Sequence, residues 1–133
     1  MINFTPDLET KVDYIDQQHK ELFKRINDVA SLGAKSYSKE ETDKTINLLG
    51  EYIIEHFRDE EELQKKYGYP KYEWHCEQHK LYIDTFNKLK AEYIANGPSA
   101  NFTLQLNKSI IDWIVKHIRY VDVELGKFIN QKK

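Results

Sequence analysis

Four stretches of this chain repeat apolar residues every three or four positions, and each stripe carries histidine. That pattern limits the fold more than any other feature, because it fixes both the element type and the facing of its polar groups. The first stripe is Val12, Ile15, His19, Leu22, Phe23, Ile26 and Ala30. It predicts a helix from about Asp16 to Gly33, with Gly33 as its stop. Ser38 and Glu41 have the spacing of a capping box and open a second helix. The second stripe runs Ile46, Leu49, Ile53, His56, Glu60, Leu63 and Tyr67. Gly68-Tyr69-Pro70 ends it, and Pro70 is expected to start the third helix. There the stripe is Tyr72, His75, His79, Tyr82, Phe86, Leu89 and Tyr93, closed by Asn96-Gly97-Pro98. A fourth helix is expected from near Asn101 to about the C-terminus, with Leu106, Ile110, Trp113, Ile114, His117 and Val121 on its stripe and a kink after His117. Short polar turns between long helices favour an all-α, up-down-up-down antiparallel four-helix bundle with an N-terminal arm.

All five histidines fall on these stripes. His56/Glu60 and His75/His79 are four residues apart, so each pair shares one helix face. His117 and Asp122 are five apart, which places them about 140° apart around an ideal helix. They could bind from opposite sides of a site or across a local kink. In an antiparallel bundle the four positions are level, since His19 and His75/His79 lie early in their helices and the others late. A histidine on an apolar stripe is ordinarily a core residue satisfied by a hydrogen bond. That reading weakens here, because burying five imidazoles and two carboxylates unpaired would cost on the order of 1–3 kcal/mol for each orphan. Metal ligation removes the conflict, and imidazoles with a few carboxylates suit a pair of iron ions.

At 133 residues the chain is expected to form one domain, spanning 1–133, with a core of useful size. A net charge of −2, with both signs mixed along the sequence, argues against nucleic acid. The single cysteine, Cys76, excludes an internal disulfide and fits a reducing compartment. No secretion signal and no membrane-spanning run are visible, so the expected location is cytoplasmic, away from the membrane. The residues favour neither a monomer nor a homo-oligomer.

The sequence resembles the hemerythrin family along nearly its whole length. The resemblance rests on Ile15-Asp-Gln-Gln-His19-Lys-Glu-Leu-Phe23, His56-Phe-Arg-Asp-Glu60-Glu61, and Tyr69-Pro70 followed by His75-x-x-x-His79. It is completed by Trp113-Ile-Val-Lys-His117-Ile118-x-x-x-Asp122. It implies two Fe ions in a non-haem, oxo- or hydroxo-bridged di-iron site that binds O2 reversibly. On the family pattern His75, His79 and His117 hold one iron, His19 and His56 the other, and Glu60 and Asp122 bridge them. O2 would meet the open position of the two-histidine iron. Phe4 stands where many bacterial members have tryptophan.

The histidine-rich set supports this reading on chemical grounds. Carboxylate-rich di-iron enzymes compensate more iron charge and carry Glu-x-x-His pairs, and this chain has no Glu-x-x-His. Reversible O2 binding for storage, transport or delivery is therefore expected, rather than catalysis. The alternatives are O2 sensing and a di-iron redox enzyme acting on peroxide or nitric oxide. Phe23, Ile114, Ile118 and also Phe57 are candidates for an apolar O2 pocket, with plain core packing as the competing reading. Cys76 is expected to be a small buried packing residue. The tyrosines are expected to fill the bundle with their hydroxyls at its edge. Arg58-Asp-Glu-Glu-Glu62 reads as a solvated face with Glu60 as the inward exception.

Overall fold

The computed structural model describes residues 2–32 and 38–132. A short 3-10 turn, Pro6–Leu8, precedes α1 (Asp13–Ala30). Helices α2 (Lys39–Tyr67) and α3 (Tyr72–Asn96) follow. A fourth rod covers residues 100–132 without leaving helical dihedrals. Its parts are α4 (Ala100–Gln105), a π-helical stretch Leu106–Asp112, α5 (Trp113–His117), a π turn Ile118–Asp122, and α6 (Val123–Lys132). No strand occurs among the described residues, and the short connections make neighbouring helices antiparallel. The expected four-helix bundle is the observed one.

The ends follow local chemistry. Ser38 Oγ accepts from the Glu41 backbone N–H while the Glu41 side chain accepts from the Ser38 N–H, completing the capping box. Gly68 closes α2 in a left-handed conformation (φ 67°) that favours glycine, and Tyr69 N–H bonds back to Gln64 O. Helix α1 begins three residues earlier than expected and ends at Ala30, with Ser31 as its cap. Gly33 lies outside the described residues. Pro70 does not start α3. It belongs to a turn in which Tyr72 N–H donates to Tyr69 O, and Lys71 is the residue flanking the helix.

The N-terminal arm is tied to α1 through Asp16, whose Oδ1 accepts from the Thr10 N–H and hydroxyl, both at 2.8 Å. Thr10 O would lie 2.2 Å from any Cβ at Gly126, so this close approach of arm and α6 requires glycine. Phe4 packs edge-on against Phe23 at 6.1 Å.

The core has two unequal parts. The large cluster includes Leu22, Phe23, Ile26, Ile53, Phe57, Tyr82, Phe86, Ile110, Ile114 and Ile118. The smaller one is Val12, Ile15, Tyr69, Leu125 and Ile129. Along α1 the order is Ile15, His19, Leu22, and along the fourth rod it is Ile118, Asp122, Leu125. The polar groups therefore form a layer between two apolar ones, which removes water from both sides of it. Leu63, Tyr67, Tyr72, Trp113 and Val121 are half-buried at the rims of their stripes.

Candidate metal centre

Helices α1, α2 and α3 and the fourth rod each contribute polar residues to this layer. His19, His56, Glu60, His75, His79, His117 and Asp122 are all buried, none more than 5% exposed. They form two groups that share Glu60 and Asp122. In the first, His75 Nε2 and His79 Nε2 lie 3.1 and 3.2 Å from Glu60 Oε1. His75 Nε2 and His117 Nε2 lie 3.0 and 3.2 Å from Asp122 Oδ1. In the second, His19 Nε2 is 3.1 Å from Asp122 Oδ2 and 3.7 Å from Glu60 Oε2, and His56 Nε2 is 3.5 Å from Glu60 Oε2. Each carboxylate thus turns one oxygen to each group.

The His117–Asp122 step is resolved by the π turn. The Val123 N–H bonds to Ile118 O, five residues back, so positions five apart stack on one face there. At the position of the expected kink, one added residue in the turn accommodates the five-residue step.

These short distances are not hydrogen bonds. His19 Nε2, His56 Nε2, His79 Nε2 and all four oxygens of Glu60 and Asp122 lack hydrogen-bond geometry to any partner, although they are buried. The ligand atoms of each group all lie within 4.8 Å of one another. Two donors roughly 2.1 Å from one ion, at right angles, lie about 3.0 Å apart, which matches the closest pairs. The donor set fits a pair of first-row metal ions bridged by carboxylates.

Electrostatics without metal shows the same conflict. Burial disfavours charge on His19 and His75, yet the adjacent Asp122 and Glu60 outweigh it and raise them to about 9 and about 10. Burial, and then the neighbouring charge of His19, lower His56 to about 4. Burial opposes ionisation of Glu60 and Asp122, but the surrounding imidazoles hold both well below the usual carboxylate range.

A second layer of residues orients the imidazoles through their other nitrogen. Gln18 Oε1 meets His56 Nδ1 at 2.7 Å, Gln64 Nε2 meets His75 Nδ1 at 2.9 Å, and Glu61 Oε2 meets His79 Nδ1 at 2.8 Å. None of the three is evident from the stripes. Gln64 follows Glu60 by four residues, so continuing the helical spacing finds it. Glu61 corrects the reading of 58–62 as a solvated face, since its side chain turns inward to His79.

The pocket candidates Phe23, Ile114 and Ile118 are buried in the large cluster. Phe57 lies flat on the His79 ring at 3.8 Å, and Trp113 on the His117 ring at 4.6 Å. Tyr82 corrects the expectation for the tyrosines, because its buried hydroxyl donates to Ile110 O at 3.0 Å inside the bundle. Tyr14 and Tyr120, by contrast, are largely exposed. Cys76 is half-buried rather than fully packed, and burial pushes its thiol up. No helix among the described residues is long and apolar enough to cross a membrane.

A helical bundle that closes around such a cluster defines a class, that of proteins holding metal between facing helices. The chain belongs to the hemerythrin family, since the model of the hemerythrin HHE cation binding domain matches residues 10–129. Bacteriohemerythrin from Methylococcus capsulatus is 30% identical over 124 residues, covering 91% of this chain and 90% of its own length. Myohemerythrin from Theromyzon tessulatum is 30% identical over 114 residues, covering 86% and 82%. The crystal structure of wild-type hemerythrin superposes with a TM-score of 0.81 at 26% identity, covering 97% of each chain. The cofactor of this family is a non-haem di-iron centre, in agreement with the expectation from the histidines.

Proposed function

We propose that this chain binds O2 reversibly at a non-haem di-iron centre, for oxygen storage, transport or delivery, without turning over a substrate. His75, His79 and His117 would hold one iron, His19 and His56 the other, and Glu60 and Asp122 would bridge them. The sorting of the four carboxylate oxygens carries this reading, with Glu60 Oε1 and Asp122 Oδ1 toward three imidazoles and Glu60 Oε2 and Asp122 Oδ2 toward two. The similarity to bacteriohemerythrin and myohemerythrin supports it along most of the chain.

When bound, the iron pair supplies the electrons that O2 takes up on binding and returns on release. The chain's own residues set the conditions for that return. Three histidines on one side and two on the other leave the His19/His56 side with fewer protein donors, so a small ligand would bind there. Phe23, Phe57, Ile114 and Ile118 keep water from that layer, which slows loss of the ligand in a charged form. Tyr82, whose hydroxyl is committed to Ile110 O, offers no free proton to the centre.

The test is repeated gas exchange on iron-loaded protein, followed by its optical spectrum. Reversible oxygenation through several cycles is expected. Steady consumption of O2 or peroxide with no stable oxygenated state would replace this reading with a redox enzyme.

A further inference from the structure

We infer that Gln18 is a positioning residue for His56, and that Asp59 at the edge of the bundle dictates which end of the Gln18 amide faces that imidazole. The inference rests on the reading of His56 as an iron ligand. Gln18 is half-buried on α1, and its two amide ends meet two different residues of α2. Its Oε1 lies 2.7 Å from His56 Nδ1, and its Nε2 donates to Asp59 Oδ2 at 3.0 Å. The hydroxyl of exposed Tyr14 donates to the same Asp59 oxygen at 2.9 Å, and the Tyr52 hydroxyl donates to Gln18 O at 3.3 Å.

The two ends of an amide have the same shape, so only their partners can orient it. An ionised carboxylate accepts and never donates. Asp59 therefore draws the Gln18 amino group, leaving the Gln18 oxygen toward His56. An oxygen there requires the proton on Nδ1. The lone pair of Nε2 is then free to face Glu60 and the centre, which is the tautomer a metal ligand needs.

The other imidazoles are held differently. His79 meets a carboxylate directly through Glu61, with no amide between. Gln64 at His75 has an Oε1 without a partner, so no carboxylate fixes its orientation. His19 Nδ1 has no hydrogen-bond partner among the described residues. On the His19/His56 side, Gln18 is thus the outer partner that the described residues provide. Its loss acts on the side with fewer ligands.

Zinc is a suitable probe, being diamagnetic and ahead of ferrous iron in the divalent affinity order. Histidine nitrogen–proton correlation spectra of 15N-labelled protein, metal-free and zinc-loaded, report the tautomer of His56. The Nδ1-protonated form is expected in both. Asp59→Asn can present either amide end to Gln18, so a mixture of tautomers is expected in the metal-free variant. Gln18→Leu should weaken the weaker zinc site by about 10–100-fold, and Gln18→Glu should restore it, because a carboxylate again accepts from Nδ1. A packing role alone would leave the tautomer unchanged and would not favour glutamate over leucine. An Nε2-protonated His56 in the metal-free parent, or parental zinc affinity in Gln18→Leu, overturns the inference. A parent that binds no zinc while Asp59→Asn still shifts the tautomer would sink the metal reading and leave the positioning role standing.

Discussion

His117 Nε2 and Asp122 Oδ1 lie 3.2 Å apart although five residues separate them on one helix. The π turn Ile118–Asp122 closes that gap by adding one residue to the turn while the helix continues beyond it. Tyr120, 66% exposed, is the residue of that turn with the least to lose. Deleting Tyr120 should return the turn to α-helical spacing, with the aspartate four residues after His117 and Leu125 and Ile129 still facing inward. Two metal ions per chain and a melting temperature within a few degrees of the parent are expected. Unfolding, or loss of metal, would show that the added residue has another role.

The shared carboxylates and the single-side histidines should differ in metal count. Glu60 offers one oxygen to each group, whereas His56 contacts only the second. Glu60→Ala should therefore strip both positions, and His56→Ala should retain about one iron on the His75/His79/His117 side. Elemental analysis after anaerobic loading checks this. Equal losses in the two variants would contradict the sharing.

Stability should depend on metal and on pH together. Without metal, His19 and His75 hold protons in the folded state up to about 9 and about 10, against an ordinary imidazole value of 6.5. The stability from these raised groups is fully present below 6.5 and is lost as pH climbs through 9 to 10. His56, lowered to about 4, acts in the opposite sense only below 6.5. The metal-free protein should melt lower at pH 9 than at pH 6.5. Metal requires deprotonated imidazole, so the gain in melting temperature on loading should widen over the same range. A metal-free form that is no less stable at pH 9 would refute the assignment of those protons.

Much of the fold and of the site is legible in the sequence. The helices and the seven convergent residues are legible because an apolar stripe broken by histidine carries both period and facing. Gln18, Glu61 and Gln64 are harder, since a polar residue beside a stripe looks like solvent surface until a partner helix is placed against it. Glu61 is further hidden inside an acidic run. The π turn depends on which carbonyl each N–H selects, and its one sequence trace is the five-residue step from His117 to Asp122. Pro70 misleads for a related reason. Tyr69 sinks into the small apolar cluster, and the turn that buries it delays α3 to Tyr72.

The apolar layer should control how long O2 stays. Ile118 is fully buried next to His117 and belongs to the same cluster as Phe57. Ile118→Glu places a carboxyl group in that layer, where it draws water or competes for the open position. Autoxidation should accelerate at least several-fold while circular dichroism still reports a helical bundle. An oxygenated variant as long-lived as the parent would move the pocket elsewhere.

On the proposed reading, seven residues from four helical rods would hold two bridged irons with unequal ligand sets. Mössbauer spectroscopy of 57Fe-loaded protein, paired with an iron count per chain, addresses it most directly. Two irons per chain are predicted, antiferromagnetically coupled in the oxidised form, with two distinguishable ferrous sites after reduction. A single iron per fully loaded chain, or two uncoupled irons, would rule out a carboxylate-bridged pair.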